Sequence, residues 1–206
     1  MGAISRFDLR EIITNTNTTV FVESGTLHGD GIAHALQFPF QEIHSIEIID
    51  DLAKKARARF QNNKNVTIHT GSSPDVLHNI LPGINGNILF WLDAHFPGAD
   101  SGHIKYSQVK DIEYSKNLPL EGEIKEISKR LDTHKDVVIM DDLWIYESGD
   151  FEWGDFDTHC KKSGHDITLD EIAKNKNLSF LYDTFGNSHK FIKNYHDQGY
   201  VAVLPN

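Results

Sequence analysis

Apolar and polar positions alternate along the first two thirds of the chain in a way that predicts strands separated by helices. Short apolar segments rich in β-branched or aromatic residues are typical of buried strands, and they occur at residues 18–24, 45–50, 66–70, 87–94 and 136–142. Segments with apolar residues at helical spacing lie between them, at residues 31–38, 51–60, 73–81 and 121–131. This order predicts an α/β fold with a doubly wound, mostly parallel sheet.

The last third of the chain contains fewer regular signals. Thr168 to Glu171 match a capping box, which predicts the start of a short helix. Earlier in the chain, Ser73-Pro74 predicts another helix start, with a hydroxyl cap followed by proline. Two more strand candidates follow, residues 178–185 (LSFLYDTF) and 200–205 (YVAVLP). Repeats, low-complexity tracts and linkers are absent from the sequence, so we expect residues 1–206 to form one domain.

The segment 95–120 is polar, poorly periodic and rich in Gly, Pro, Ser and Tyr. Loops of this length within a compact domain are usually binding loops or lids. We therefore expect this segment to cover the site for a substrate, with Asp100, His103, Lys105, Tyr106 and Tyr114 as its polar groups. Trp144, Tyr146, Phe151 and Trp153 could form a second, aromatic wall or belong to the core.

Charge and composition restrict the class of partner. The 206 residues carry a net charge of −10, with acidic residues spread along the chain, which argues against binding to a phosphate backbone. No apolar run approaches the ~18 residues that span a bilayer. We expect a small-molecule partner rather than nucleic acid or a membrane, and leave a homo-oligomer open. The single cysteine, Cys160, and the lack of an apolar leader favour the cytoplasm.

A glycine-rich stretch, ESGTLHGDG at residues 23–31, follows the first predicted strand. Its glycines, Gly25, Gly29 and Gly31, allow a tight turn and a close approach of the backbone to a ligand. The spacing differs from the nicotinamide pattern G-x-G-x-x-G, and Glu23 suits a ligand with a positive amino group better than a pyrophosphate. A plain strand-to-helix turn is the alternative.

Glu47 lies in the second predicted strand. An acid at this position binds the ribose hydroxyls in dinucleotide and related sites. The alternative is that Glu47 is a surface acid at the end of a strand.

Three aspartates follow two predicted strands: Asp93 ends the fourth, and Asp141 and Asp142 end the fifth. If these strands are neighbours in the sheet, their ends lie ~5 Å apart. The carboxylates would then repel one another unless a divalent cation, with Mg²⁺ favoured by oxygen ligands, lay between them. The alternative is that one caps a turn and the others are solvated. His95 is a candidate general base, a further metal ligand, or a histidine with no role beyond the loop.

Four segments in this order, VESGTLHGDG, SIEIIDDLAKKARARF, VTIHTGSSPDVL and FWLDAHFPG, resemble the class I S-adenosylmethionine-dependent methyltransferases. The resemblance covers most of residues 18–142. It implies a Rossmann-like sheet of seven strands ending in an antiparallel hairpin, which residues 178–185 and 200–205 would supply. Relatives often have an acid where this chain has Ser72, which would hold the adenine more weakly.

The resemblance also implies residue roles. The expected cofactor-binding residues are Glu23, Ser24, Gly25, Thr26, Gly29, Gly31, Glu47, Ser72, Ser73 and Asp93. Metal-dependent O-methyltransferases of sugars and catechols are similar in having an Asp after the fourth strand and an acidic pair after the fifth. This implies Asp93, Asp141 and Asp142 as metal ligands, and His95 and Asp93 as catalytic residues.

These expectations lead to one leading hypothesis and two alternatives. The leading hypothesis is a Mg²⁺-assisted O-methyltransferase that uses S-adenosylmethionine and acts on a hydroxyl, with a sugar or nucleotide-sugar in glycan biosynthesis implied by the resemblance. The first alternative is a nicotinamide-dependent oxidoreductase on the same fold. The second is a non-catalytic module that binds S-adenosylmethionine.

Overall fold

The strands of the computed structural model, which describes residues 4–173, 177–186 and 188–206, form one mixed sheet. They are β1 Thr18–Ser24, β2 Glu42–Glu47, β3 Val66–Thr70, β4 Asn87–Leu92, β5 Val137–Met140, β6 His189–Asn194 and β7 Tyr200–Pro205. Their order in the sheet is β3-β2-β1-β4-β5-β7-β6. The pairs from β3 through β5 are parallel, whereas β7 pairs antiparallel with both β5 and β6. The predicted fold class, including the C-terminal hairpin, is confirmed.

Helices cover both faces of this sheet. They are α1 Leu9–Thr16, α2 Asp30–Ala35, α3 Asp50–Arg59, α4 Ser73–Ile80, α5 Tyr114–Asn117, α6 Leu120–Ile127, α7 Phe156–Lys162, α8 Leu169–Ile172 and α9 Ser179–Phe185. Side chains alternate between the two faces of each strand. Val22 on one face therefore joins the core that includes Leu77 of α4 and Ile124 of α6, while Phe21 on the other joins Leu9 of α1.

The sixth strand is not where the sequence placed it. Residues 178–185, predicted as a strand, form helix α9 after Leu178, and β6 is instead His189–Asn194. The physical reason is the spacing of Leu178, Leu181 and Phe185, which are buried together on one face of a helix. Their β-branched and aromatic neighbours favoured a strand only locally, and packing against α6 decides the outcome.

Other element boundaries differ by a few residues. Strand β2 begins at Glu42 and ends at Glu47, so residue Asp50, predicted at the end of that strand, is the first residue of α3. The cap position of α4 is Ser72 rather than Ser73, and its side chain makes no capping hydrogen bond. The capping box of α8 is confirmed, since Thr168 N–H donates to Glu171 Oε2 over 2.9 Å. Helix α1, which the sequence pattern did not predict, begins at Leu9 and is capped by Asp8, whose side chain accepts a hydrogen bond from Arg10 N–H.

Every helix in the described part of the chain is too short or too polar to cross a membrane.

Candidate functional site

A cavity of about 1290 Å³, measured with its open mouth, lies at the carboxyl ends of the parallel strands. Ligands of open α/β sheets bind at this edge, where the strand order reverses; here the reversal is between β1 and β4. Two groups of residues line the cavity on opposite sides of Asp93. One contains Gly25, Glu47 and residues 71–73, and the other contains His95, Asp142 and aromatic side chains.

Gly25 is placed where a side chain would not fit. Its φ is +86°, and a Cβ atom would lie 2.8 Å from the carbonyl oxygen of Asp93. Its N–H donates to the carbonyl of Ile46 over 3.0 Å. The backbone at Gly25 therefore fits between the ends of β4 and β2, and is exposed to the cavity without a side chain to block it.

Glu23 lies beneath the glycine loop and is not among the residues that line the cavity. Its side chain is buried, and Ser45 Oγ donates to Oε1 over 2.6 Å. A Cβ atom at Gly31 would lie 2.0 Å from Glu23 Oε2, so a side chain at position 31 would collide with this carboxyl. Burial raises the pKa of Glu23 to about 8. Glu23 supports the loop from below, and Ser24, Thr26, Gly29 and Gly31 are likewise absent from the cavity wall.

Glu47 does line the cavity, at the end of β2. Its Oε2 accepts a hydrogen bond from Leu27 N–H over 2.9 Å, and its Oε1 accepts one from Ile49 N–H over 2.8 Å. The carboxylate thereby joins the glycine loop to the start of α3. Each oxygen retains a lone pair for a further donor, so Glu47 remains available to a ligand hydroxyl.

The segment after β3 also reaches the cavity. Gly71, Ser72 and Ser73 all line it, and Ser72 and Ser73 are among the cofactor-binding residues that the resemblance implies. Gly71 N–H donates to the carbonyl of Glu47 over 3.0 Å, which fixes the segment beside the end of β2.

Asp93, His95 and Asp142 form a cluster on the other side of the cavity, and each offers a ligand atom within 4.8 Å of the others. His95 Nδ1 lies 3.1 Å from Asp142 Oδ2 and 3.8 Å from Asp93 Oδ1. Asp142, two residues beyond the end of β5, adopts a left-handed backbone conformation with φ of 55°. Its Oδ1 is buried and has no hydrogen-bond partner among the described residues. Two carboxylates and an imidazole are suitable ligands for a divalent cation, and Asp142 Oδ1 has no other partner among the described residues.

The charges of this cluster perturb one another. Burial and the neighbouring Asp141 and Asp142 raise the pKa of Asp93 well above its usual value. Burial also raises the pKa of Asp142, against the opposing effect of His95. For His95, burial lowers the pKa, but the surrounding carboxylates more than compensate, and the pKa lies above its usual value. Such mutual perturbation is typical of functional sites.

Asp141 does not join this cluster, although the sequence predicted it as a metal ligand. It is buried, and neither carboxylate oxygen has a hydrogen-bond partner among the described residues. Burial and Asp142 raise its pKa to about 7, and the charge of Arg6 opposes them. Asp142, with its left-handed backbone, lines the cavity, whereas Asp141 does not. The charge of Asp141 still raises the pKa of Asp93.

Aromatic side chains form the far wall of the cavity. Trp153 stacks on His159, with ring centroids 5.2 Å apart, and Tyr106 stacks on His165 at 4.0 Å. The Tyr106 hydroxyl donates to Asp100, whose other oxygen lies 3.7 Å from His95 Nε2. Trp144, Trp153, Asp100 and Tyr106 were expected here and line the cavity, whereas His103, Lys105, Tyr114, Tyr146 and Phe151 do not.

Three residues of this wall, Phe156, His159 and His165, were missed by the sequence analysis. They lie on or near α7, which has no motif; the only available signal was the density of aromatic and histidine residues between 144 and 165.

Comparison with known proteins gives structural likeness only. No protein-family model and no curated protein sequence matches the chain. A Staphylococcus aureus protein assigned as a caffeoyl-CoA O-methyltransferase superposes with a TM-score of 0.63 at 12% identity, over 100% of this chain and 85% of that one. An S-adenosylhomocysteine-bound methyltransferase from Podospora anserina gives 0.57 at 10% identity, over 95% and 75%. A Klebsiella pneumoniae protein assigned as an O-methyltransferase gives 0.57 at 13%, over 100% and 81%. The chain therefore has the fold of the class I S-adenosylmethionine-dependent methyltransferases.

Proposed function

We propose that this protein is an S-adenosylmethionine-dependent O-methyltransferase that uses a divalent cation and acts on a hydroxyl of a small molecule. The observation that carries the proposal is the composition of the cavity. A glycine-lined, side-chain-free surface at Gly25 and the acid Glu47 share one cavity with the cluster of Asp93, His95 and Asp142. A cofactor site and a site for an oxygen nucleophile would thus adjoin each other, as methyl transfer requires.

The cofactor would occupy the side formed by Gly25, Glu47 and residues 71–73. Glu47 is the acid at the end of the second strand, the position that binds ribose hydroxyls in related sites. The presence of S-adenosylhomocysteine in the Podospora anserina structure supports this choice of cofactor for the shared fold. The glycine spacing argues against the nicotinamide alternative.

The cation would be held by Asp93, His95 and Asp142, with Asp141 outside the ligand set. A bound Mg²⁺ would lower the pKa of a coordinated hydroxyl and orient it. The protein's own contribution is to hold these three side chains together: Asp142 contacts His95 Nδ1, and Asp100 approaches Nε2 over 3.7 Å from the opposite side. A histidine fixed at both ring nitrogens is held in one orientation.

His95 is compatible with both roles that the sequence suggested. Its Nδ1 is the atom closest to the two carboxylates and would ligate the cation. Its Nε2 faces Asp100 at the cavity and would receive a proton from an acceptor hydroxyl if Nδ1 keeps its hydrogen. Metal affinity after substitution of His95 separates these roles, because only a ligand role predicts its loss.

The acceptor we propose is a sugar or nucleotide-sugar hydroxyl. Flat aromatic surfaces on Trp153 and Tyr106 beside hydrogen-bonding groups suit the faces and hydroxyls of a sugar ring. A cytoplasmic location and a small-molecule partner are part of the same proposal.

Calorimetric titration with S-adenosylhomocysteine, with NAD as the competing ligand, tests the cofactor assignment directly. We expect binding of S-adenosylhomocysteine and none of NAD. Methyl transfer from S-adenosylmethionine to a panel of sugars, nucleotide-sugars and catechols, with and without Mg²⁺, then tests the reaction. Cofactor binding without metal-dependent transfer to any hydroxyl would favour the non-catalytic module.

A further inference from the structure

Glu123, on helix α6, is a buried carboxyl that the proposed chemistry does not use. Only 1% of the residue is exposed. It lies on helix α6, whose neighbours Ile124 and Ile127 belong to the same core as Leu77 of α4, and it is not among the residues that line the cavity. Burying an ionisable group costs free energy, so its place in the core requires a physical explanation.

The packing of α6 against α4 brings Glu123 to the cofactor side of the cavity. A Cβ atom at Gly122 would lie 2.9 Å from Cγ of Pro74, so this glycine lets the two helices approach closely at the start of α4. The next residue, Glu123, then faces the hydroxyl of Ser73. Ser73 belongs to the segment that lines the cavity where we propose that the adenine binds.

Glu123 also faces Ser24, the last residue of β1. Ser24 precedes Gly25, and its carbonyl accepts a hydrogen bond from Asp93 N–H over 3.2 Å. One buried carboxyl therefore adjoins both halves of the cofactor side: the glycine loop after β1 and the segment after β3.

The polar groups around Glu123 have unused hydrogen-bonding capacity. Ser24 Oγ, Ser73 Oγ and Glu123 Oε1 are all buried, and none makes a hydrogen bond of acceptable geometry among the described residues. A protonated carboxyl has one O–H donor and additional acceptor lone pairs. It can therefore hydrogen-bond both serine hydroxyls, either directly after a small side-chain movement or through one enclosed water. Since unpaired buried groups are costly, this capacity is expected to be used when the site is in its binding conformation.

We propose that Glu123 is a positioning residue for the cofactor: its carboxyl connects Ser24 and Ser73 and so fixes the loop after β1 relative to the start of α4. This proposal rests on the assignment of the cavity to S-adenosylmethionine. Glu123 does not touch the cofactor, and acts through the two serines on the segments that do.

The protonation of Glu123 provides supporting evidence. Burial raises the pKa of Glu123 to about 7, with the Ser73 and Ser24 hydroxyls opposing that effect. The one other titratable group that faces it among the described residues is Tyr146, whose own pKa is raised by burial and by Glu123. No described cation is placed to compensate an ionised Glu123. The serine hydroxyls can still donate to the ionised carboxylate, but loss of its proton above neutral pH buries an uncompensated charge between the two segments.

The test is the affinity for S-adenosylhomocysteine, measured by calorimetry on the full chain. Glu123→Gln keeps a donor and an acceptor, so we expect an affinity within about twofold of wild type near pH 6. Glu123→Leu keeps the volume but no polar group, and we expect binding about tenfold weaker. Glu121→Leu, at an exposed position on the same helix, is the matched control and should leave the affinity unchanged.

The pH profile distinguishes positioning from mere packing. Wild type should lose affinity as the pH rises through about 7 relative to Glu123→Gln, which has no proton to lose. Titration of Glu23 or of the ligand affects both proteins equally and cancels in this comparison. Parallel profiles, or equal losses in Glu123→Gln and Glu123→Leu, would overturn the proposal.

A second variant keeps the test decisive if Glu123→Leu does not fold. The double substitution of Ser24 and Ser73 by alanine removes both partners without placing a new group in the core, and we expect it to weaken binding about fivefold or more. Unchanged affinity in this variant would overturn the positioning role alone. Failure of wild type to bind S-adenosylhomocysteine would instead overturn the proposed function, and the inference with it.

Discussion

The α-carbon of Gly25 faces the carbonyl oxygen of Asp93 so closely that a Cβ atom would lie 2.8 Å from it. The same glycine has a φ of +86°, a conformation that side-chain-bearing residues rarely adopt. Two independent features therefore require glycine at the point where the β1 loop passes the end of β4. Because Gly25 also lines the cavity, its replacement should affect ligand binding more than general packing.

Gly25→Ala is predicted to weaken binding of S-adenosylhomocysteine by about tenfold or more. The added methyl group must displace either the loop or the backbone at Asp93, and both displacements alter the cavity wall. Calorimetry on the purified variant measures the loss. Gly83→Ala is the control, since a Cβ atom there would meet nothing within 4 Å. Equal affinities for Gly25→Ala and Gly83→Ala would contradict the assignment of this surface to the cofactor.

His95→Gln is predicted to reduce the affinity for Mn²⁺ by about tenfold or more, while binding of S-adenosylhomocysteine changes by less than about twofold. The reason is that His95 Nδ1 lies between the two carboxylates of the proposed cation site, away from the glycine loop. Titration of Mn²⁺ followed by electron paramagnetic resonance measures the change. Retained Mn²⁺ affinity with lost methyl transfer would assign His95 to proton transfer instead.

Asp142→Asn and Asp141→Asn separate the structural assignment from the one based on sequence. We expect Asp142→Asn to lose Mn²⁺ affinity as strongly as His95→Gln, because its Oδ1 is unpaired and its Oδ2 contacts His95. Asp141→Asn should change Mn²⁺ affinity much less, since Asp141 lies outside the cluster. A larger effect of Asp141→Asn would contradict this cluster and support the assignment from sequence, in which Asp93, Asp141 and Asp142 bind the cation.

The parts of the site at the ends of strands were predictable from sequence, because their position follows from where each predicted strand ends along the chain. Gly25, Ser72 and Asp93 each come shortly after a strand and Glu47 ends one, and parallel strands present their carboxyl ends at one edge. Residues 87–94 and 136–142 were predicted as strands, and the pairing on which the metal hypothesis depends is present between β4 and β5.

What the sequence missed depends on tertiary contacts. Two consecutive acids after β5 cannot be ranked by pattern, since the left-handed backbone of Asp142 and the charge of Arg6 beside Asp141 decide which one faces the cavity. The stretch LSFLYDTF has both strand-forming residues and helical spacing, and its contact with α6 selects the helix. His159 and His165 reach the cavity only because α7 folds back over it.

Glu23→Gln is predicted to be more stable relative to wild type at pH 8 than at pH 5. The folded-state pKa of Glu23 is about 8, whereas the unfolded carboxyl has the ordinary value of 4.5. The unfolded chain therefore releases this proton first, and wild-type stability falls as the pH rises from the unfolded towards the folded pKa. The glutamine variant lacks this loss, which amounts to roughly a few kcal/mol over that window.

Urea unfolding of both proteins at the two pH values measures this difference. Glu121→Gln, an exposed carboxyl on α6, should follow the wild-type pH dependence. If wild type and Glu23→Gln lose stability in parallel, the carboxyl of Glu23 is ionised in the folded protein, and its support of the glycine loop is of a different kind.

Asp136→Ala is predicted to destabilise the protein by about 3–5 kcal/mol, the cost of leaving a buried arginine without its partner. Arg130 Nε donates to Asp136 Oδ2 over 2.7 Å, and Asp136 Oδ1 also accepts from Ile88 N–H over 2.8 Å. Both side chains are less than 10% exposed, at 7% and 4%. They connect α6 and its following turn to the starts of β4 and β5, at the edge of the sheet opposite the cavity.

Urea unfolding measures the loss of stability in Asp136→Ala. Lys54→Ala, which breaks an exposed ion pair with Asp50, should produce almost no loss. Because of this separation from the cavity, folded Asp136→Ala should still bind S-adenosylhomocysteine with wild-type affinity, and a large loss of affinity would mean that the two edges of the sheet are coupled.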